Sequence, residues 1–271
     1  MKIEDFNDII YEKEENGICT ITLNIPKRKN AMSAVTYLEI ETALADMEQD
    51  KNARVLILTG CKEANAFSSG DYFTHFSSLS PEIKAEIDLM DVANKRLSLK
   101  FWDFSKPVIA AINGLAIGAA ITMTLLVADL IFIAEDGWIG FYFVKNAVLP
   151  IFGGHFTVPF LIGFQKAKEL LYFGDKITAQ EAEKLGLVNK VLPPEELMPY
   201  AREQALRLIP PKGPSLAIQL MKKTIHAYFR DILANTLDLE NERNRANAKT
   251  HDFRESTRAF MAKRQPKFKG K

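Results

Sequence analysis

Cysteine is nearly absent from these 271 residues, with only Cys19 and Cys61, which lie far apart in or beside strand-like runs. Two such residues exclude a disulfide framework and a clustered metal site, and predict buried free thiols of the kind found in a reducing, cytoplasmic compartment. An excess of either charge is also lacking, since 35 Lys and Arg against 34 Asp and Glu leave a net charge of +1. The chain therefore has no electrostatic footprint for nucleic acid or an anionic membrane surface, and neither partner is expected. The longest apolar stretch, around Ile109 to Ile133, is interrupted by glycines and Asp129, so it reads as core and not as a membrane span. The first residues are charged without an apolar centre and the last are Lys269-Gly270-Lys271, so neither a signal peptide nor a peroxisomal tripeptide is expected. Low-complexity segments and tandem repeats are missing as well. What remains is 47% hydrophobic content, enough for one large core, or one core with a small appendage.

The chain reads as an α/β protein made of repeated strand-strand-helix units with a helical end. Ile18 to Leu23 alternates threonine with apolar residues, as a half-buried strand does, and Val55 to Leu58 is a β-branched block typical of a buried parallel strand. Ser33 is placed to cap a helix running through about Glu48, with its acidic side chains on the wet face. A polar, Ser-rich loop from Thr74 to Pro81 leads into a charged helix, roughly Glu82 to Leu99, whose weak apolar periodicity makes it the candidate for a mobile lid. From about Pro193 the pattern changes to long helices, with Leu206, Leu220, Ile225, Phe229, Leu233 and Leu237 at helical spacings. The charged strip from Asp238 to Arg245 is expected to face solvent or a neighbour's polar rim.

Two stretches of small residues carry the functional signal. Phe67-Ser68-Ser69-Gly70-Asp71 and Asn113-Gly114-Leu115-Ala116-Ile117-Gly118-Ala119-Ala120 each follow an apolar strand-like run, and the second enters an apolar helix, Ile121 to Val127. Strand, tight turn and helix N-terminus together aim free N–H groups and a positive dipole end at an anion, so the pair reads as a two-donor oxyanion hole.

With these turns, three further pieces make the chain resemble the crotonase superfamily, the enoyl-CoA hydratase/isomerase group of acyl-CoA enzymes. They are Thr22-Leu23-Asn24-Ile25-Pro26-Lys27-Arg28-Lys29-Asn30-Ala31-Met32-Ser33, then Gly174-Asp175-Lys176-Ile177-Thr178-Ala179-Gln180-Glu181-Ala182 with Gly186-Leu187-Val188, and Phe260 to Gly270. The first turn is most similar to the enoyl-CoA isomerase branch. The resemblance implies a spiral of strand-strand-helix units, an acyl-CoA-binding core over residues 1–195 and a C-terminal helical oligomerisation subdomain over 196–271. It also implies a homotrimer or a hexamer of stacked trimers, a role in fatty acid metabolism, no metal, and no cofactor beyond the coenzyme A that is part of the substrate. Carried over by position, the oxyanion donors are the amides of Asp71 and Ala119, flanked by Ser69, Gly70 and Gly118. Lys29 and Lys263, with Arg264, fall where the family holds the phosphates of coenzyme A. Phe141, Tyr142, Phe143, Phe152 and Phe156 are candidates for an acyl pocket, and equally for plain core.

The proton-transfer groups depart from the family pattern. Hydratases carry two glutamates, because adding water to a double bond needs a base for the water and an acid for the carbon. Here those positions are Thr122 and Phe143, and the position isomerases use further along is Ile151. Candidate replacements are the Asp71 side chain, Tyr72, Tyr142, Lys145 and His155, with Tyr142 carried as the provisional catalytic residue. A one-base isomerase or hydratase-like enzyme, a decarboxylase or hydrolase, and a non-catalytic CoA-thioester-binding homologue all remain open at this stage.

Overall fold

The computed structural model describes residues 1–72 and 79–271. Most of the Ser-rich loop expected from Thr74 to Pro81 lies outside the described residues. In chain order the elements are β1 Ile9–Lys13, β2 Ile18–Leu23, α1 Ala34–Gln49, β3 Val55–Gly60, α2 Pro81–Glu86, α3 Lys95–Asp103, β4 Val108–Ile112 and β5 Leu115–Ile117. Then come α4 Ala119–Val127, β6 Leu130–Ala134, β7 Trp138–Gly140, α5 Gly154–Ile162, α6 Phe164–Phe173, β8 Lys176–Thr178 and α7 Ala179–Leu185. The chain finishes with β9 Lys190–Leu192, α8 Pro194–Arg207, α9 Ser215–Asn247 and α10 His251–Met261.

Six strands form one sheet in the order β1-β2-β3-β4-β6-β9, parallel except for β1, and β5-β7-β8 form a second, smaller sheet. Each pass of the chain gives one strand to the large sheet and the next to the small one. The first pass contributes only the bridge between Ser68 and Ala116, and the following passes contribute β5 and β7. This is the α/β spiral of strand-strand-helix units expected from the sequence.

The central strands are apolar throughout because both faces of the sheet are covered. Val55, Ile57, Ile109, Ala111 and Phe132 point towards α8, where they meet Leu197, Ala201, Ala205 and Ile209. Leu56, Leu58, Val108, Ala110, Ile112 and Ile131 point the other way, into the main core with α1, α3 and α4. Helix α4 has no wet face: all nine of its residues are buried, which explains its lack of amphipathic patterning. Within the segment 196–271, α8 lies on the sheet and α9 runs along α3 and α5. Both cysteines are buried and unpaired. Among the described residues no helix is long and apolar enough to cross a membrane.

Three local expectations are corrected. The helix expected from Glu82 to Leu99 is two helices, because the Asp91 carboxylate accepts from the Lys95 and Arg96 amides at 2.6 and 2.9 Å and starts a new helix there. Short acidic side chains compete with the helical backbone in this way. Glu39 is not on the wet face of α1: it is buried and accepts from the Asn7, Asp8 and Ile9 amides, and burial pushes its carboxyl up. The strip from Asp238 to Arg245 is not uniformly outward, since Glu240, Asn241 and Asn244 are buried. Leu233, Leu237, Glu240 and Asn244 follow one another at helical spacing, so the apolar stripe of α9 continues into polar residues that still face inward.

Candidate functional site

The two small-residue turns are stitched together. The Phe67 and Ser68 amides both donate to the Leu115 carbonyl, at 3.0 and 3.1 Å, and Ile117 donates back to Ser68 at 3.1 Å. Asn113 reaches across from β4 and pairs with both backbone groups of Gly60. On the other side, buried Asn30 donates to the Ala66 and Phe67 carbonyls, and Ser69 donates its amide to Lys29 at 3.0 Å. Met32 then donates to Gly70, and Tyr72 to Met32. Successive amides of an extended strand alternate in direction, so the Asp71 N–H points away from Met32, to the side where β5 runs into α4.

That side presents the N-terminus of α4. Ala119 is its first residue, and a first-turn N–H has no partner within a helix. Among the described residues neither the Asp71 nor the Ala119 amide donates a hydrogen bond. The approach is close. Gly70 sits at φ +96°, and a Cβ there would come 2.8 Å from the Ile117 carbonyl oxygen and 3.7 Å from the Ala119 nitrogen. Only glycine lets the two backbones meet at this distance.

The Asp71 side chain has a partner of its own. One of its oxygens accepts from the Tyr37 hydroxyl, brought in by α1. Tyr37 is buried and stands edge-on to Phe152, with ring centroids 5.3 Å apart. Asp71 keeps contact with solvent, yet the protein packed around it strips away enough water to push its carboxyl up to about 6, against a smaller opposing effect of the Tyr37 hydroxyl. The Tyr37 hydroxyl is itself pushed well above its ordinary range by burial and by the neighbouring carboxylate.

Thr122, Phe143 and Ile151, the residues expected at the family's carboxylate positions, are buried and carry no acid. Thr122 turns its hydroxyl back to the Gly118 and Ala119 carbonyls, while its Cγ2 lies 2.8 Å from where a Cβ on Gly154 would stand. The Phe143 ring lies 3.9 Å from a Cβ built on Gly118.

The other candidates have partners of their own. Tyr142 lies beside Trp138, with the Lys145 ammonium 4.4 Å above its ring, and Lys145 also pairs with Asp175. Tyr72 lies under the Arg28 guanidinium. His155 holds Glu240 through Nδ1 at 2.9 Å. Lys29 is exposed, and its own carbonyl anchors Ser69, two residues from Asp71. Lys263 is exposed at the end of α10, but Arg264 is committed to Glu255, whose carboxyl it holds down at about 2.

Sequence reasoning missed Tyr37 and Glu240. Tyr37 gave no local signal, because its relation to Asp71 is purely tertiary. Glu240 had one, its place on the stripe of Leu233 and Leu237. A recess of about 60 Å³ shares Tyr37, and an open cleft of about 550 Å³ lies between Lys95 and Arg245, away from the paired amides.

The family model described as enoyl-CoA hydratase/isomerase matches residues 13–271. This chain belongs to that family. This hydratase/isomerase homologue is 32% identical over 264 residues to a putative enoyl-CoA hydratase/isomerase of Bacillus subtilis, covering 97% of this chain and 99% of the relative. It is 33% identical over 263 residues to a crotonyl-CoA hydratase of Syntrophomonas wolfei, covering 97% and 98%. The crystal structure of an enoyl-CoA hydratase/isomerase from Pseudoalteromonas atlantica superposes with a TM-score of 0.85 at 22% identity, over 97% of this chain and 100% of that one, which shows the shared fold.

Proposed function

We propose that the protein binds an acyl-CoA thioester and stabilises its enolate at the Asp71 and Ala119 amides, as an enzyme of the enoyl-CoA isomerase or hydratase-like type. The observation that carries this reading is the approach of two amides that have no partner among the described residues, one of them at a helix N-terminus, where Gly70 packs against the entry to α4. Abstracting a proton beside a thioester carbonyl drives negative charge onto its oxygen, and two preorganised donors stabilise that charge. Thr122, Phe143 and Ile151 give the acyl group an apolar wall and supply no second acid, so moving a double bond fits this site better than adding water.

Lys29 and Lys263 are the cations proposed for the phosphates of coenzyme A, which arrives as part of the substrate, so the reading calls for no cofactor and no metal. The core over residues 1–195 would bind the thioester, and residues 196–271 would carry assembly. Leu216, Leu220, Ile225, Tyr228 and Ile232 of α9 are exposed on the single chain, an apolar surface that suits a homotrimer or hexamer. Two buried, unpaired thiols suit the cytoplasm.

The test is to mix the protein separately with a 3-enoyl-CoA and a 2-enoyl-CoA and follow the absorbance of the conjugated thioester. Absorbance that rises with the 3-enoyl substrate supports isomerisation. Tight binding of both with no change in either would assign the protein to CoA-thioester binding without turnover.

A further inference from the structure

We infer that the Asp71 side chain, held by the Tyr37 hydroxyl, is the acid and base of this site, so that one residue supplies both an oxyanion donor and the proton shuttle. The inference rests on the enolate reading above. Its first support is position. Only a methylene separates the carboxyl from the Cα whose amide is the proposed donor, which sets an acid beside a thioester oxygen held on that amide.

The second support is the charge balance. A carboxylate beside an oxyanion hole would oppose the enolate if it stayed ionised. It does not do so if it has taken the proton that created the enolate, because the site then carries one negative charge before and after the step. The third support is the engagement of the alternatives. His155 is held by Glu240, Lys145 by Tyr142 and Asp175, and Tyr72 by Arg28.

In the step this implies, the Asp71 carboxylate takes a proton from C2 of a 3-enoyl thioester. The C2–H electron pair forms the C1–C2 double bond, and the carbonyl pair moves onto the oxygen held by the two amides. The carbonyl then reforms, the double bond comes to lie between C2 and C3, and the same carboxyl returns its proton to C4. Atoms and charge balance without a co-reactant. One carboxyl thus carries out both transfers, and conjugation with the carbonyl favours the 2-enoyl thioester as the product. Tyr37 is a positioning residue: its hydroxyl fixes the carboxylate, and its ring rests against Phe152.

Tyr37 is the titratable group that the described residues set against Asp71. The base must be ionised, so the rate should rise with pH through about 6, to which the protein crowded around the carboxyl has moved it. Removing the hydroxyl in Tyr37→Phe takes away a group that favours the carboxylate, so this acidic limb should move to higher pH.

The deciding experiment compares wild type, Asp71→Asn and Asp71→Glu, measuring butyryl-CoA binding by calorimetry and exchange of its α-protons in D₂O. Asp71→Asn keeps the backbone amide, and its exchange and isomerisation should fall ~10²–10⁴-fold with binding retained, the span of general acid–base catalysis. Asp71→Glu should recover part of the rate. Exchange by Asp71→Asn at the wild-type rate overturns the assignment and leaves the enolate reading intact. Wild type that binds butyryl-CoA without exchanging its protons overturns both. Should Asp71→Asn fail to fold, a Tyr37→Phe variant whose acidic limb coincides with that of wild type overturns the assignment by itself.

Discussion

Replacing Ala119 by proline tests the proposed oxyanion hole at one of its two donors. Ala119 is the first residue of α4, where the amide takes no part in the helical ladder and proline's fixed φ suits the helix start. The preceding residue is Gly118, at φ 58°, which escapes the clash that a larger side chain would make with the proline ring. The substitution therefore deletes one N–H and adds a ring carbon on the side where the Gly70 backbone packs closely, so folding is checked together with activity. Loss of a single oxyanion donor costs about 2.7–4 kcal/mol of transition-state stabilisation, or ~10²–10³-fold in kcat. The assay is isomerisation of a 3-enoyl-CoA, with circular dichroism and thermal unfolding as the check on folding. KM should move much less than kcat, because the donor acts most strongly on the charge that develops in the transition state. A folded Ala119→Pro protein with wild-type kcat would place the hole elsewhere and refute the reasoning from the two unpaired amides.

Crotonyl-CoA hydration should be slow, because Thr122 and Phe143 cannot move the protons of water, and a rapid hydratase rate in the unmodified protein would contradict the placement of these residues. Glu240→Ala should lower unfolding free energy by about 2–4 kcal/mol, since it strips the acceptor from the Gly153 and His155 amides at the start of α5 and opens a space beside Leu233, while Glu240→Gln should lose less; denaturant melts within about 0.5 kcal/mol of wild type would refute this. Light scattering at micromolar concentration should show a trimer or hexamer, and a stable monomer would leave the exposed apolar face of α9 unexplained.

The parts of this molecule that were legible in sequence are those written by local rules. β2 spans Ile18–Leu23 as expected, though its threonine alternation marks no wet face, because every residue but Thr22 is buried, and α1 starts after Ser33, whose hydroxyl and that of Thr36 close a capping box. The meeting of the two turns was legible through Gly70 and Gly118, because small residues are demanded wherever backbones approach. Residues defined by distant partners were not legible. Glu39 and Glu240 are acids in helices, and composition assigns acids to solvent. What reverses this is a set of backbone amides from other elements, Asn7 to Ile9 in one case and Gly153 with His155 in the other. The break before α3 was missed for a related reason: Asp91 acts as a cap, which a periodicity argument cannot register.

The same division explains why family membership and chemistry separate in this chain. The proposed oxyanion donors are main-chain groups, so any sequence that keeps small residues at Gly70 and Gly118 and an α4 that starts at Ala119 keeps them, whatever the neighbouring side chains become. A proton shuttle is a side chain, and it can move wherever the fold offers a partly desolvated carboxyl next to the nascent charge. Asp71 meets that condition because the floor that presents its amide also limits the water around its carboxyl, and Tyr37 holds that carboxyl in place. With Asp71 proposed as the shuttle, Thr122 and Phe143 need carry no acid: further carboxylates there would add buried charge beside an enolate and weaken its binding.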